Sequence, residues 1–209
     1  KTIRDSKIAY PKLDSMSALT KLTRKYEDVF KNDSMSVGNS LNATNFIRAT
    51  DTITEMVQLT QQLLDTDIAY PAADGIYFSI AAYQRKTGFK YGKLQKITVS
   101  ENHERIANDE YDKDNVSDFV LWKKATPEAP SWNANFHHDN KDLEMEGRPG
   151  WAIECSAMSQ KILGVPFDIH TGGIDLKFPH HENEIAQSCG ATNQPIFANY
   201  FFHNNHVLI

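Results

Sequence analysis

The segment between Gly164 and Gly190 constrains the fold more than any other part of the chain. After a glycine stop, Val165-Pro166-Phe167-Asp168-Ile169 reads as a short buried strand. It ends in His170-Thr171-Gly172-Gly173-Ile174-Asp175, and Pro179 then opens a helix that carries His180-His181-Glu182-Asn183-Glu184 toward Gly190. A strand that runs into a glycine-pair turn and then a helix is the usual ligand-binding edge of an open parallel sheet. Pro179 suits the first helical position because the amide it lacks is one the helix does not use. Gly172 and Gly173 would let a ligand approach the backbone closely, and Asp175 could accept hydrogen bonds from ribose hydroxyls.

His180 and Glu184 are four residues apart, so on a helix they project from one face, one turn apart, and could grip a single ion. Cys155, 25 residues before His180, offers a thiolate from the preceding helix. Thiolate, imidazole and carboxylate are all zinc ligands, and a donor set of mixed softness favours zinc over calcium or magnesium. His181 points about 100° away around the helix and is expected to support the ligands from outside. Cys189 reads as a small buried hydrophobe, and His137 and His138 as residues of a solvated polar loop.

Upstream, Asp14 is placed to cap a helix with Met16, Leu19, Leu22, Tyr26, Val29 and Phe30 at three-to-four spacing. A second helix starts near Thr52, where Thr52 and Glu55 have capping-box spacing and Ile53, Met56, Val57, Leu63 and Leu64 form its buried stripe. β-prone pieces at 75–80 and 118–122 flank a polar stretch from Lys86 to Ser117, the pattern of a small α+β insertion that ends near Pro127, Pro130 and the polar run 137–142. A Gly147-Arg148-Pro149-Gly150 turn leads into a helix from Trp151 that Gly164 stops.

Composition excludes several classes. No apolar run approaches the ~20 residues needed to cross a bilayer, and no secretory signal pattern opens the chain. Two cysteines in 209 residues leave no room for a disulfide framework. The formal net charge of −5 argues against bulk-charge binding of nucleic acid, although residues 1–50 hold nine Lys/Arg against five Asp/Glu and could meet a polyanion locally. A cytoplasmic protein is expected.

Gly147-Arg-Pro-Gly-Trp-Ala-Ile-Glu-Cys-Ser-Ala-Met158 and Phe167-Asp-Ile-His-Thr-Gly-Gly-Ile-Asp-Leu-Lys-Phe-Pro-His-His-Glu-Asn-Glu-Ile-Ala-Gln-Ser188 closely resemble the zinc-binding half of the class I cysteinyl-tRNA synthetase catalytic domain. The resemblance covers 147–206 most specifically and is collinear upstream through Arg48-Ala-Thr50, Ala69-Tyr70 and Asp118-Phe-Val-Leu-Trp-Lys123. It implies an α/β fold: a partial Rossmann-like catalytic domain, with a helical first part (1–66), an inserted small α+β connective-peptide domain (67–146), and a second part (147–209) bearing the zinc and adenylate segments. It implies one zinc ion per chain on Cys155, His180 and Glu184, with a fourth ligand, a cysteine, from a segment before residue 1. It puts Trp151 and His170 in the pocket for L-cysteine, and Gly172, Gly173 and Asp175 against the adenosine of ATP and the adenylate. His203 matches a family position on the strand leading to the ATP loop. The implied activity is ATP- and Mg2+-dependent activation of cysteine and its transfer to tRNA(Cys).

The chain departs from that family in two respects. Ala152 stands where the family usually has a histidine, and neither of its ATP motifs, HIGH and KMSKS, occurs in the 209 residues. These 209 residues alone are therefore expected to bind zinc with three of four ligands and to form little cysteinyl-adenylate. A cysteine ligase of mycothiol synthesis shares the same segments, and a non-catalytic zinc module is the alternative from another class.

Overall fold

The computed structural model describes residues 2–95, 105–106, 118–126 and 129–206. Much of the polar stretch 86–117, Pro127 and the apolar run 207–209 lie outside the described residues. Helices α1 (Thr2–Ala9) and α2 (Ser15–Ser36) pack on each other. The Asp14 carboxylate caps α2 by accepting from the Ser17 amide at 2.9 Å, as its position predicts. The apolar spacing of α2 does not translate into a buried stripe: only Ala18 is buried, and Tyr26, Val29 and Phe30 remain exposed.

Helix α3 (Ile53–Asp65) buries Met56, Leu59, Leu63 and Leu64, with Ile53 and Val57 at the margin. Its expected capping box does not form. The Thr52 hydroxyl donates to the Ala49 carbonyl at 2.9 Å, and Glu55 turns aside to pair with Lys161 at 2.6 Å. A cationic partner on a neighbouring helix thus outcompetes the local amide.

A mostly antiparallel sheet covers α3. Strands β1 (Ala69–Ala72), β2 (Gly75–Phe78), β4 (Asp118–Lys124), β6 (Lys141–Pro149) and β5 (Trp132–His138) follow one another in that spatial order, and β3 (Arg105–Ile106) pairs in parallel with β4. Between β2 and β4 in sequence, Ser79 caps α4 (Ile80–Thr87). The reading of 137–142 as a loop is corrected here. His137 and His138 end β5 in a hairpin whose turn is Asp139-Asn140, both at positive φ (51° and 59°), the geometry of a type I′ turn. Alternating Trp132, Ala134 and Phe136 carry one face of β5 toward α3.

The third part supplies α5 (Trp151–Leu163), β7 (Phe167–Gly173), α6 (His180–Thr192) and β8 (Ala198–Asn204). Gly164 ends α5 at φ 78°, as expected. Gly190 does not end α6. It lies inside the helix, where a Cβ would sit 3.2 Å from Leu63 Cδ2, so its lack of a side chain lets α6 close on α3, and Asn193 at φ 54° is the C-cap. Pro179 sits at the N-cap, one position before that expected. β7 and β8 pair in parallel, but β7 is not the buried strand expected: Phe167 is buried while Ile169, and Tyr200 and Phe202 on β8, are exposed.

One continuous core joins these parts, running from Met56 and Leu63 through Phe78, Phe119 and Trp122 to Ile153, Phe167 and Cys189. Cys189 is fully buried, as the small-hydrophobe reading requires. Leu63→Ala should lower the stability of the chain by about 3 kcal/mol in urea unfolding, whereas Val37→Ser, on an exposed helix end, should cost less than about 0.5 kcal/mol.

Candidate metal centre

The helix α6 is built against expectation for a buried element. Every residue from His180 to Gly190 is buried, including two histidines, two glutamates, an asparagine, a glutamine and a serine. A helix of such composition is stable inside a protein only if its polar groups find partners. Some do: the Ser156 hydroxyl of α5 donates to Gln187 Oε1 at 2.6 Å, which fixes α5 against α6.

Glu184 is different. Its side chain has no exposure at all, and its two oxygens lie 3.0 Å from His180 Nε2 and 3.0 Å from His170 Nε2. Yet both oxygens, together with His170 Nε2 and His180 Nδ1, are buried without the alignment of a hydrogen bond. A cation held between the Glu184 oxygens and the neighbouring imidazoles would satisfy them. The ligand atoms of Cys155, His180 and Glu184 all fall within 4.8 Å of one another, and those of His170, His181 and Glu184 form a second such group. The three residues singled out by spacing are therefore brought together, Cys155 from α5 and the other two from α6. They fit a soft divalent cation such as zinc, since thiolate, imidazole and carboxylate can share one ion at bonding distance.

The electrostatics agree with a site that awaits positive charge. Burial pushes the Cys155 thiol up to about 12, with the Glu184 and Glu154 carboxylates adding to the effect. Burial also pushes the Glu184 carboxyl up, but the His170 and His180 imidazoles beside it outweigh that and leave it below its ordinary range. Burial brings His181 down to about 4. It is therefore a neutral imidazole at neutral pH, its Nδ1 2.8 Å from His203 Nε2 on β8.

Trp151 opens α5 beside this cluster, its ring centroid 4.4 Å from that of His180. His170, on β7, lies against Glu184 and within 4.3 Å, centroid to centroid, of His181. The glycine pair is not a turn: Gly172 and Gly173 are the last two residues of β7, in parallel register with His203 and Asn204. A Cβ on residue 172 would sit 2.7 Å from His181 Cε1, and one on residue 173 would collide with the Asp175 carboxylate. Their smallness serves close packing around His181 and Asp175 rather than a special backbone angle. Asp175, in the short 3-10 turn 174–177, is exposed and lies 3.2 Å from His206 Nε2. Ala152 is buried in α5, with its carbonyl oxygen 3.2 Å from Ser156 Oγ. Sequence reasoning did not connect His203 to His181 or Ser156 to Gln187. The register of β8 with β7 carries the first pairing and the packing of α5 on α6 the second, and neither has a local signal.

The model of the tRNA synthetases class I (C) catalytic domain family matches residues 2–209. The chain belongs to that family. A cysteine--tRNA ligase of Brachyspira hyodysenteriae is 41% identical over 215 residues, covering 100% of this chain and 41% of the relative. One from a Chelativorans species is 46% identical over 170 residues, covering 80% of this chain and 33% of the relative. The cytoplasmic cysteine--tRNA ligase of Drosophila melanogaster is 37% identical over 197 residues, covering 90% of this chain and 25% of the relative. The chain thus spans about two fifths or less of the length of these curated relatives. The class I (C) catalytic domain is an α/β fold, and here the β7–β8 unit that carries the glycine pair is parallel, as is the short β3–β4 pairing. Among the described residues no helix is long and apolar enough to cross a membrane.

A metal must displace the proton that burial holds on Cys155, so binding should release about one proton. Zinc affinity should then rise about tenfold per unit between about pH 7 and pH 8, and fall correspondingly as pH drops. Calorimetric titration of the chain in buffers of different ionisation enthalpy reads both quantities. Binding without proton release, or affinity that ignores pH, contradicts the arrangement.

Proposed function

We propose that this chain is the central portion of the catalytic domain of a cysteinyl-tRNA synthetase, an enzyme that activates L-cysteine with ATP and Mg2+ and transfers it to tRNA(Cys) in the cytoplasm. In this reading residues 1–66 and 147–209 belong to the catalytic domain proper and 67–146 to its connective-peptide insertion. The observation that carries it is the convergence of Cys155, His180 and the buried Glu184 in a chain matched from end to end by this family.

The task is to select cysteine over serine, which differ by sulfur against oxygen at nearly equal volume. A pocket that senses shape alone separates such near-isosteres by ~1 to 3 kcal/mol, whereas four to five decades of selectivity need roughly 5.5 to 7 kcal/mol. Zinc held by Cys155, His180 and Glu184 would close that gap by ligating the substrate thiolate, which a serine hydroxyl, remaining protonated, cannot match. Glu184 supplies negative charge to the site from a side chain with no exposure to solvent. Trp151, tilted at 31° against the His180 ring, would form one wall for the amino acid, and His170 another through its contact with Glu184.

Attack of the cysteine carboxylate on the α-phosphate of ATP is then a matter of placement and charge neutralisation. The exposed edge made by Gly172, Gly173 and Asp175 adjoins the cysteine pocket through His181, so an adenosine bound there with its ribose on Asp175 would present its phosphate to the amino acid. The resemblance in sequence assigns the fourth zinc ligand and the two ATP motifs to segments outside these residues.

In the full-length protein, Cys155→Ser should raise the cysteine KM in ATP–pyrophosphate exchange by about tenfold or more and erode discrimination against serine. The ATP KM should stay within about twofold, because the adenosine edge is untouched. Unchanged cysteine KM with normal zinc content would sink the reading.

A further inference from the structure

His180 and Glu184 face Cys155 from one side of α6. Glu182 lies between them in sequence, about 200° around the helix from each, and so projects to the opposite side. It is a carboxylate with 1% exposure, and among the described residues it forms no ion pair. Its oxygens accept from three successive backbone amides: Lys93 at 2.9 Å, Leu94 at 2.5 Å and Gln95 at 3.2 Å. Gly92, at φ 87°, makes the turn that aims those amides inward, the form of a backbone anion nest. Two further bonds tie the same segment to the helix. Tyr91 donates its hydroxyl proton to Asn183 Oδ1 at 2.6 Å, and Lys93 Nζ donates to the Pro195 carbonyl at 2.6 Å, just beyond the end of α6.

This segment follows α4, outside the elements that supply the metal ligands. The clamp therefore fixes the rotation and height of α6 from behind, and the tolerance in front is small. A turn of about 15° moves a ligand atom ~6 Å from the helix axis by about 1.5 Å, against the ~0.2 Å that metal coordination accepts. An ordinary loop anchor could have been made with neutral groups. A buried carboxylate in an amide nest is directional at both oxygens and so resists rotation.

We propose that Glu182 is a positioning residue of the metal centre, which by gripping the amides of Lys93, Leu94 and Gln95 sets the rotation of α6 that turns His180 and Glu184 toward Cys155. This rests on the reading of the site given under Proposed function. Loosening the grip should loosen thiol recognition while leaving the adenosine edge in place.

The test uses the full-length protein with cobalt(II) in place of zinc, and compares Glu182→Gln, Glu182→Ala and Tyr91→Phe. Phe136→Leu, on the β5 face that packs on α3, serves as a control that lowers stability in the core away from the clamp. Glu182→Ala should raise the cysteine KM about tenfold and shift the visible cobalt spectrum, with smaller changes in the same direction for Glu182→Gln and Tyr91→Phe. The ATP KM should stay within about twofold in all of them. Phe136→Leu should melt at lower temperature with an unaltered cobalt spectrum. If the Glu182 variants do not fold, Tyr91→Phe carries the comparison alone. A wild-type cobalt spectrum that ignores L-cysteine overturns the site reading and this proposal together. A normal wild-type response that persists unchanged in folded Glu182→Gln and in Tyr91→Phe overturns this proposal alone.

Discussion

A carboxylate with no exposure to water, held 3.0 Å from two imidazoles, is the constraint on which the rest of this structure depends. Burying an ion costs several kcal/mol unless the surroundings return it. Neighbouring histidines return part of that cost at Glu184, and a cation shared with the Cys155 thiolate and His180 would return more. That requirement explains why a helix with so few apolar residues lies at the centre of the molecule. It also explains why the elements around it are chosen less for greasiness than for fit. Gly190 lets α6 approach Leu63, Gly172 makes room for the His181 ring, and the Ser156 hydroxyl donates to Gln187 Oε1.

The same constraint would organise the proposed function. Burial holds the proton on Cys155, and a bound metal would replace it and leave a thiolate. In that reading the cysteine pocket and the adenosine edge would adjoin because β7 contributes His170 to one and the glycine pair to the other. A single strand would then set the spacing between the two ends of the substrate pair. The two-stranded β7–β8 unit leaves Ile169, Tyr200 and Phe202 exposed, so the site sits on a sheet edge rather than in a closed cavity.

Much of this was legible in sequence, for identifiable reasons. The i,i+4 relation of His180 and Glu184 is a local property of a helix, and Asp14, Met56, Leu63 and Gly164 act through short-range rules of capping and periodicity. The errors share a cause in tertiary competition. The capping box fails because the Thr52 hydroxyl and amide both go to the Ala49 carbonyl while Glu55 pairs with Lys161 on α5, and the glycine pair reads as a turn because its true reason, the His181 ring, belongs to another element. The β5–β6 hairpin was recoverable in principle from the alternation of Trp132, Ala134 and Phe136 before Asp139-Asn140, but the density of charged and polar residues there pointed to a loop. The apolar spacing of α2 correctly gave a helix while its burial depended on neighbours that the spacing does not specify.

If Cys155, His180 and Glu184 hold one zinc ion with a position open to a substrate thiol, as proposed, X-ray absorption at the zinc edge of the full-length protein, recorded alone and with L-cysteine or L-serine, will show it. Cysteine should add one sulfur to the zinc shell and serine should change nothing. A zinc shell with the same sulfur count in the presence of cysteine as in its absence would overturn the proposal.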